Sequence, residues 1–344
     1  MTQSAQSDPW TVGRLLTWTT EFLGGRGSDS PRLDAEVLLA HARGCERIAL
    51  YTAFGEEVSE EVRARFRELV KKRAEGIPVA YLVGRKEFFS LSFKVTPDVL
   101  IPRPETEHVV MAALDVLGVS GPKSKVQSPK SEGLGLRVQG SGAEESGVRS
   151  QESEEIPNSK SQVPNLQSQI RNLKSIADVG TGSGCIAIAI AKHASQARLI
   201  ATDTSAAALA VARENAAAHQ VADRIEFREG DLLSMLPAQR QFDLVVSNPP
   251  YVGTSEQGTL APQVRQHEPH TALFGGERGT ETIARLIPQA AERLKPGGWL
   301  ILEVSPLVAD AVAKLIADRG SFEPATISKD LAGLVRVVKA RRKE

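Results

Sequence analysis

Hydrophobic positions along the chain follow three patterns in turn. Over roughly the first 118 residues they recur at helical spacing. Pro31 stands at a first helical position with Ser30 as its cap. Leu33, Val37, Leu38 and Leu39 follow, and Gly44 supplies the stop. A second helix is expected from Ser59 to Ala74. Val62, Phe66, Leu69 and Val70 share one face, with Arg63, Arg67, Lys71 and Lys72 on the rest. Between Gly84 and Val99 the period shortens. Phe88, Phe89, Leu91, Phe93 and Val95 predict a hairpin. Leu100 to Glu107 then reads as extended, because Pro102 and Pro104 hold the residues before them out of the α region. Glu105 or Thr106 opens a helix carrying Val109, Val110, Ala113 and Leu114.

From Ser120 to Lys174 there is no period at all. Ser, Gln, Glu, Lys, Gly and Asn dominate, and such a segment buries too little to offset its ordering entropy, so a disordered insert is expected. From Ser175 onward, apolar strand-like runs alternate with helical stretches. The strands are expected at Ser175–Val179, Ala197–Thr202, Ile225–Arg228, Phe242–Ser247 and Trp299–Val304, with two more around Phe322 and Leu334–Val338. Ser205–His219 and Thr280–Leu294 read as helices between them. Seven strands with helical crossovers form a doubly wound α/β sheet, whose ligands sit outside the carboxyl ends of the strands. The expected division is a helical unit at 1–84, a hairpin and connecting segment at 85–119, the insert at 120–174 and the α/β domain at 175–344.

Composition narrows the partners. Lys plus Arg number 42 and so do Asp plus Glu, so no global field draws in a polyanion such as nucleic acid. The basic face of the 59–74 stretch reads as solvated, since neighbouring acids leave it near neutrality. The two cysteines, Cys45 and Cys185, are far apart and lack metal-ligand spacing, which fits reduced thiols in a cytoplasmic protein and no metal site. Residues 1–9 contain no apolar leader, and no run approaches membrane-spanning length.

The candidate chemistry lies at strand ends. Asp178-Val179 leads into Gly180-Thr181-Gly182-Ser183-Gly184, and a small apolar helix begins at Cys185. Strand, glycine turn and helix form a nucleotide cradle in which backbone can approach the ligand. Asp203 ends the next strand about twenty residues on, where an acid can accept both ribose hydroxyls. The spacing is G-x-G-x-G, with Cys185 where a dinucleotide fold would want a third glycine, so a nucleoside with an amino acid moiety suits the site better. Asp178 suits the amino group of such a ligand, S-adenosylmethionine for example. The Asp231-Leu232 pair falls where a third strand end flanks an adenine.

Asn248-Pro249-Pro250-Tyr251 stops the Phe242–Ser247 run. Two prolines in succession remove two donors and leave rigid carbonyls. With the Asn248 side chain these could accept hydrogen bonds from a planar NH2 group while Tyr251 covers its π face. Taken alone, the stretch reads equally as a strand-ending turn with an Asx cap. Convergence of Gly180, Asp203, Asp231 and Asn248 at strand ends of one crevice favours the chemical reading. Pro102, Arg103 and Glu105 read either as a wall of that crevice or as an interdomain linker.

Taken together, Asp178–Gly184, Asn248–Tyr251 and Ile101-Pro102-Arg103-Pro104-Glu105-Thr106-Glu107 resemble the HemK/PrmC family. Glu268-Pro269, Ala272–Gly276 and Lys329–Gly333 support the resemblance. It implies a class I, Rossmann-like methyltransferase domain of seven strands, joined by a β-hairpin to a small N-terminal helical bundle that recognises substrate. The implied activity is S-adenosylmethionine-dependent methylation of a glutamine side-chain nitrogen in peptide chain release factors. Asn248, Pro249, Pro250 and Tyr251 would be catalytic. Asp178, Gly180, Thr181, Gly182, Ser183, Gly184, Asp203, Asp231 and Leu232, together with Asn248, would hold the cofactor, and Pro102, Arg103 and Glu105 would meet the substrate. A monomer without nucleic acid or membrane partner is expected. Leu232 and Glu303–Pro306 depart from the family pattern. Methylation of ribosomal-protein glutamine, methylation of a nucleic-acid amine and a non-enzymatic regulator are the other readings.

Overall fold

The computed structural model describes residues 9–119 and 175–344, so the expected insert at 120–174 lies outside the described residues. Five helices open the described chain: Val12–Gly24, Pro31–Arg43, Arg47–Thr52, Glu60–Ala74 and Val79–Val83. Periodicity marks the second and fourth, and the structure adds the other three. They share a core of their own, in which Val12, Leu16, Leu38, Leu39, Leu50, Phe66 and Val70 are buried. Ser59 caps the Glu60 helix by accepting the Val62 N–H, and Gly44 ends the Pro31 helix in the left-handed region at φ 67°. The expected cap at Ser30 differs. Its side chain makes no capping bond, while the Ser28 hydroxyl donates to Asp34 in the first helical turn.

The hairpin consists of β1 (Arg85–Phe88) and β2 (Leu91–Lys94), paired antiparallel. Phe89 and Ser90 turn it with φ of 51° and 60°, left-handed values that L-residues rarely adopt. Compensation comes from burial. Phe88, Phe89 and Phe93 enter the same core as the helices Glu107–Val116 and Cys185–His193, and the Phe89 N–H donates to Glu107. Asn215 completes the attachment. It accepts from Lys94 N and donates to the Lys94 carbonyl and to Ser183 O, which joins the hairpin to the glycine turn.

The α/β domain runs β3 (Ser175–Val179), β4 (Arg198–Asp203), β5 (Ile225–Glu229), β6 (Phe242–Ser247), β7 (Val252–Gly253), β8 (Phe274–Gly276), β9 (Leu294–Glu303), β10 (Thr326–Lys329) and β11 (Val335–Arg341). Seven strands form one sheet in the order β10-β11-β9-β6-β3-β4-β5. Strands β9, β6, β3, β4 and β5 are parallel, β11 lies antiparallel beside β9, and the edge strand β10, antiparallel to β11, runs in the direction of the parallel five. Every residue of β6 is buried, as a parallel strand covered on both faces requires. Helices Glu107–Val116 and Cys185–His193 cover one face, and helices Glu281–Arg293 and Ala309–Arg319 the other. The sheet matches the expected seven-stranded doubly wound architecture.

One strand position needs correction. Phe322 forms only an isolated bridge to Arg342, and the sixth strand lies at Thr326–Lys329. Phe322 is apolar because it plugs the core between the sheet and the Ala309–Arg319 helix. β9 begins at Leu294, five residues before the expected Trp299, and its register shifts where it meets β6. β7 and β8 form a separate two-stranded parallel ladder beside the end of β6. Among the described residues no helix is long and apolar enough to cross a membrane, and no cluster of three potential metal ligands occurs.

Candidate active site

β3 leads outward at the sheet centre, where the chain turns to β4 on one side and later returns to β6 on the other. That reversal opens a crevice at the carboxyl ends of the strands. A cavity of about 530 Å³ fills it. Of the residues singled out in the sequence, Gly180, Thr181, Gly182, Ser183, Asp203, Asp231, Leu232, Asn248, Pro250, Pro102 and Arg103 line it. Asp178, Gly184, Pro249, Tyr251 and Glu105 do not.

The glycine turn is built for close approach. Gly180 and Gly182 have φ of 71° and 54°, and a Cβ on either would meet no atom within 4 Å, so bare backbone borders the cavity. Gly184 serves differently. A Cβ there would come within 3.0 Å of Ile188 and 3.2 Å of Ala212, so it lets the Cys185–His193 and Ala206–Ala218 helices pack together. Asp178 lies beneath the turn, 0% exposed. Its Oδ2 accepts from the Thr181 hydroxyl at 2.6 Å and the Ala187 N–H at 3.2 Å, while Oδ1 has no partner. Burial pushes its pKa up to about 7, against the pull of those two donors.

Asp203 braces the same turn from the next strand. One oxygen accepts Gly182 N–H and the other Ser205 N–H, both at 2.9 Å. Each carboxylate oxygen retains a second lone pair on the cavity wall. Leu232 has a left-handed φ of 56°, and its carbonyl accepts from the Thr202 hydroxyl at 2.9 Å. Asp231 at the rim pairs with Arg285, a cavity residue that sequence reasoning did not reach.

Asn248 and its prolines form the opposite wall. The Asn248 amide nitrogen donates to the Thr106 hydroxyl at 3.1 Å. Tyr251 turns its hydroxyl away from the cavity and donates to Glu303 Oε1 at 3.0 Å. Burial and the Glu303 charge hold its phenol well above the usual range. Glu303, at the end of β9, is itself 1% exposed. Burial raises its pKa to about 7, opposed by hydrogen bonding from Thr106 and Tyr251. β8 backs this wall. A Cβ on Gly275 would lie 2.2 Å from the Pro250 carbonyl, so only glycine permits the contact.

The proline-rich 101–105 segment is a wall of the cavity. Its position is set by Glu268, whose side chain is 1% exposed. The carboxylate accepts from Arg103 and, at 3.4 Å, from the Ile101 N–H. Glu105 points elsewhere and faces Arg336, which also pairs with Asp330. Thr106, expected only to open a helix, lines the cavity as well, and Glu303, a departure from the family pattern, is buried beside Tyr251. An acid ending the apolar Trp299–Val304 run was the available signal, because a buried carboxylate demands partners.

Comparison with known proteins gives two family-model matches and a set of full-length relatives. Residues 14–84 match the family model described as the PrmC N-terminal domain, and residues 145–266 match the methyltransferase small domain. The release factor glutamine methyltransferase of Rhodopirellula baltica is 41% identical over 342 residues, covering 99% of this chain and 100% of that protein. The Koribacter versatilis protein of the same name is 38% identical, covering 96% and 99%. That of Geobacter sulfurreducens is 34% identical, covering 96% and 97%.

Proposed function

The chain belongs to the release factor glutamine methyltransferase family, and on that premise we propose that it methylates the side-chain N5 of the glutamine in the Gly-Gly-Gln loop of peptide chain release factors, with S-adenosylmethionine as donor. The carrying observation is that one cavity joins the bare backbone of Gly180 and Gly182 to the acceptor wall of Asn248 and Pro250. The described residues fit that cofactor. Gly180–Ser183 offer backbone and hydroxyl groups, Asp203 offers carboxylate lone pairs for ribose hydroxyls, and Asp231 with Leu232 flanks the base. Asp178 keeps an unpartnered buried oxygen behind the turn, and its role is to hold that turn in shape. When bound, S-adenosylmethionine supplies an electrophilic methyl group on a sulfonium.

The remaining chemistry belongs to the chain. A glutamine nitrogen is a poor nucleophile because its lone pair is delocalised into the carbonyl. The Asn248 Oδ1 and the backbone carbonyls beside it accept its two N–H bonds and aim the nitrogen, a positioning effect worth about 7–11 kcal/mol in the best intramolecular cases. The same acceptors stabilise positive charge developing on nitrogen. Tyr251 stands behind this wall, with its hydroxyl tied to Glu303. Arg103 and Pro102 meet the loop on the cavity's other side, and the helices of the 1–84 unit carry the release factor. The protein works as a monomer in the cytoplasm, without a nucleic acid partner.

Mass spectrometry of a release factor incubated with the protein and S-adenosylmethionine tests this reading. One added methyl on the loop glutamine is expected. Methyl incorporation into ribosomal protein or nucleic acid instead, with the release factor unmodified, would overturn it.

A further inference from the structure

Arg63, Arg67 and Lys71, which the sequence presents as part of a solvated basic face, border a groove of about 440 Å³ in the N-terminal bundle. It lies between the Val12–Gly24 and Glu60–Ala74 helices, and each helix turns one face to it. Leu15, Trp18 and Phe22 come from the first at helical spacing, and Phe66 and Val70 from the second. Phe66 and Val70 are buried at the apolar floor. Trp18 is 49% exposed, with its ring stacked on Phe22 at a centroid distance of 5.1 Å. A large indole left in water beside a concave apolar floor is the composition of a protein-binding hot spot.

The rim is basic and its charge is not compensated nearby. Arg63 and Arg67 share a single carboxylate, that of Glu60. Arg26 lies over the Phe22 ring, and neither it nor Lys71 forms an ion pair among the described residues. The Arg63 Nε, a buried donor, has no hydrogen-bond partner among them either. Glu75 is the lone acid of the lining. Lys plus Arg equal Asp plus Glu over the whole chain, so this excess of cations is local. The groove is also joined to the cavity. Glu75 adjoins Gly76, where a Cβ would lie 3.5 Å from the His267 ring, and the next residue, Glu268, holds Arg103 in the cavity wall.

We propose that this groove docks an acidic amphipathic helix of the release factor, its apolar face on the floor beside Trp18 and its carboxylates against Arg67 and Lys71. From Arg63 to Ala74 the groove runs about 16 Å along the helix axis, room for about three helical turns. A third helix laid between two others buries such a floor along its length, in the helix-in-groove manner. A neutral or basic helix would leave the surplus cations unpaired. The docking site deepens the proposed function by adding a second contact for the same protein substrate, away from the loop that enters the cavity.

The test reads binding apart from methyl transfer. Affinity of the full chain for a release factor is measured without cofactor, across a salt series. Arg67→Glu combined with Lys71→Glu should weaken it on the order of tenfold at low salt and flatten its salt dependence. Trp18→Ala should weaken it on the order of 30-fold, as loss of a hot-spot aromatic does. Binding of S-adenosylmethionine should stay at the wild-type level in both. A photocrosslinker at position 71 should capture an acidic helical segment of the release factor. Wild-type affinity in the charge-reversed variant would overturn the docking site, and its two exposed positions leave the fold intact should Trp18→Ala unfold. Crosslinking to a second copy of this chain, or to a neutral or basic segment, would overturn it as well. So would a wild-type protein that does not bind the release factor. A wild-type protein that binds the release factor without methylating it refutes the proposed function instead, and the affinities of the variants then still decide the docking site.

Discussion

Asn248 terminates a fully buried strand and also lines the cavity, so capping and chemistry make separable claims on it. If it acts on the substrate amide, Asn248→Ala should cut single-turnover methylation by on the order of 100-fold or more, as loss of an aligned electrostatic group does. Binding of S-adenosylmethionine should stay near the wild-type level. A purely capping role would cost about 0.5–2 kcal/mol of stability and leave turnover in the folded protein intact. Turnover measured beside cofactor titration tells these apart. Asp203 makes the opposite forecast. Asp203→Ala should weaken cofactor binding by about 1–3 kcal/mol in calorimetry. Part of that loss will come from Gly182 and Ser205, whose N–H groups lose their acceptor. Asp203→Asn keeps one acceptor and should fall between.

At the scale of elements, the site depends on a short ladder that contributes little to the main sheet. β8 pairs with β7 directly after the Asn248–Tyr251 stretch, and Gly275 packs on the Pro250 carbonyl. Backbone on both sides cannot yield as a flexible side chain would. Gly275→Ala should therefore displace the acceptor wall. A stability loss of about 1–3 kcal/mol is expected in thermal melts, the usual cost of overpacking. Turnover should fall more than cofactor binding, because the glycine turn stands on another strand. The extended 101–105 segment is an element of the same kind. Free of regular structure, it is fastened by a buried Glu268 that holds Arg103 and the Ile101 N–H.

For the molecule as a whole, two buried carboxylates give stability a definite pH dependence. Glu303 is raised from 4.5 to about 7, and Asp178 from 3.8 to about 7, chiefly by burial. Glu303 is further raised by Glu105 and lowered by Arg336, while Asp203 raises Asp178. Between their unfolded and folded pKa values the native state binds more protons than the unfolded state. Their contribution is thus complete below about pH 4 and is lost as pH rises through 7. Glu303→Gln removes one of the two groups. Relative to wild type, the variant should gain about 3 kcal/mol on going from pH 5 to pH 8 in denaturant melts. A constant difference across that range would show that Glu303 does not carry a raised pKa.

Much of this protein is written locally. Runs such as Phe242–Ser247, the glycine turn at 180–184 and the acid at Asp203 each depend on neighbours within one or two elements, so periodicity and spacing reveal them. The strand count and the placing of four sites at strand ends follow from that order. Phe322 misled because an apolar residue that plugs a core looks the same in sequence as one in a strand. Phe89 takes a left-handed conformation that its residue type does not favour, since its burial against distant helices outweighs backbone strain. Thr106 meets Asn248 across 142 residues, and Arg103 meets Glu268 across 165. No local pattern encodes such partners, and only the crossover that returns β6 beside β3 brings them together. The Asn248–Tyr251 stretch and its place at a strand end could be read from the chain. What the Asn248 amide meets was decided by the tertiary structure, because the Thr106 hydroxyl comes from a segment 142 residues away.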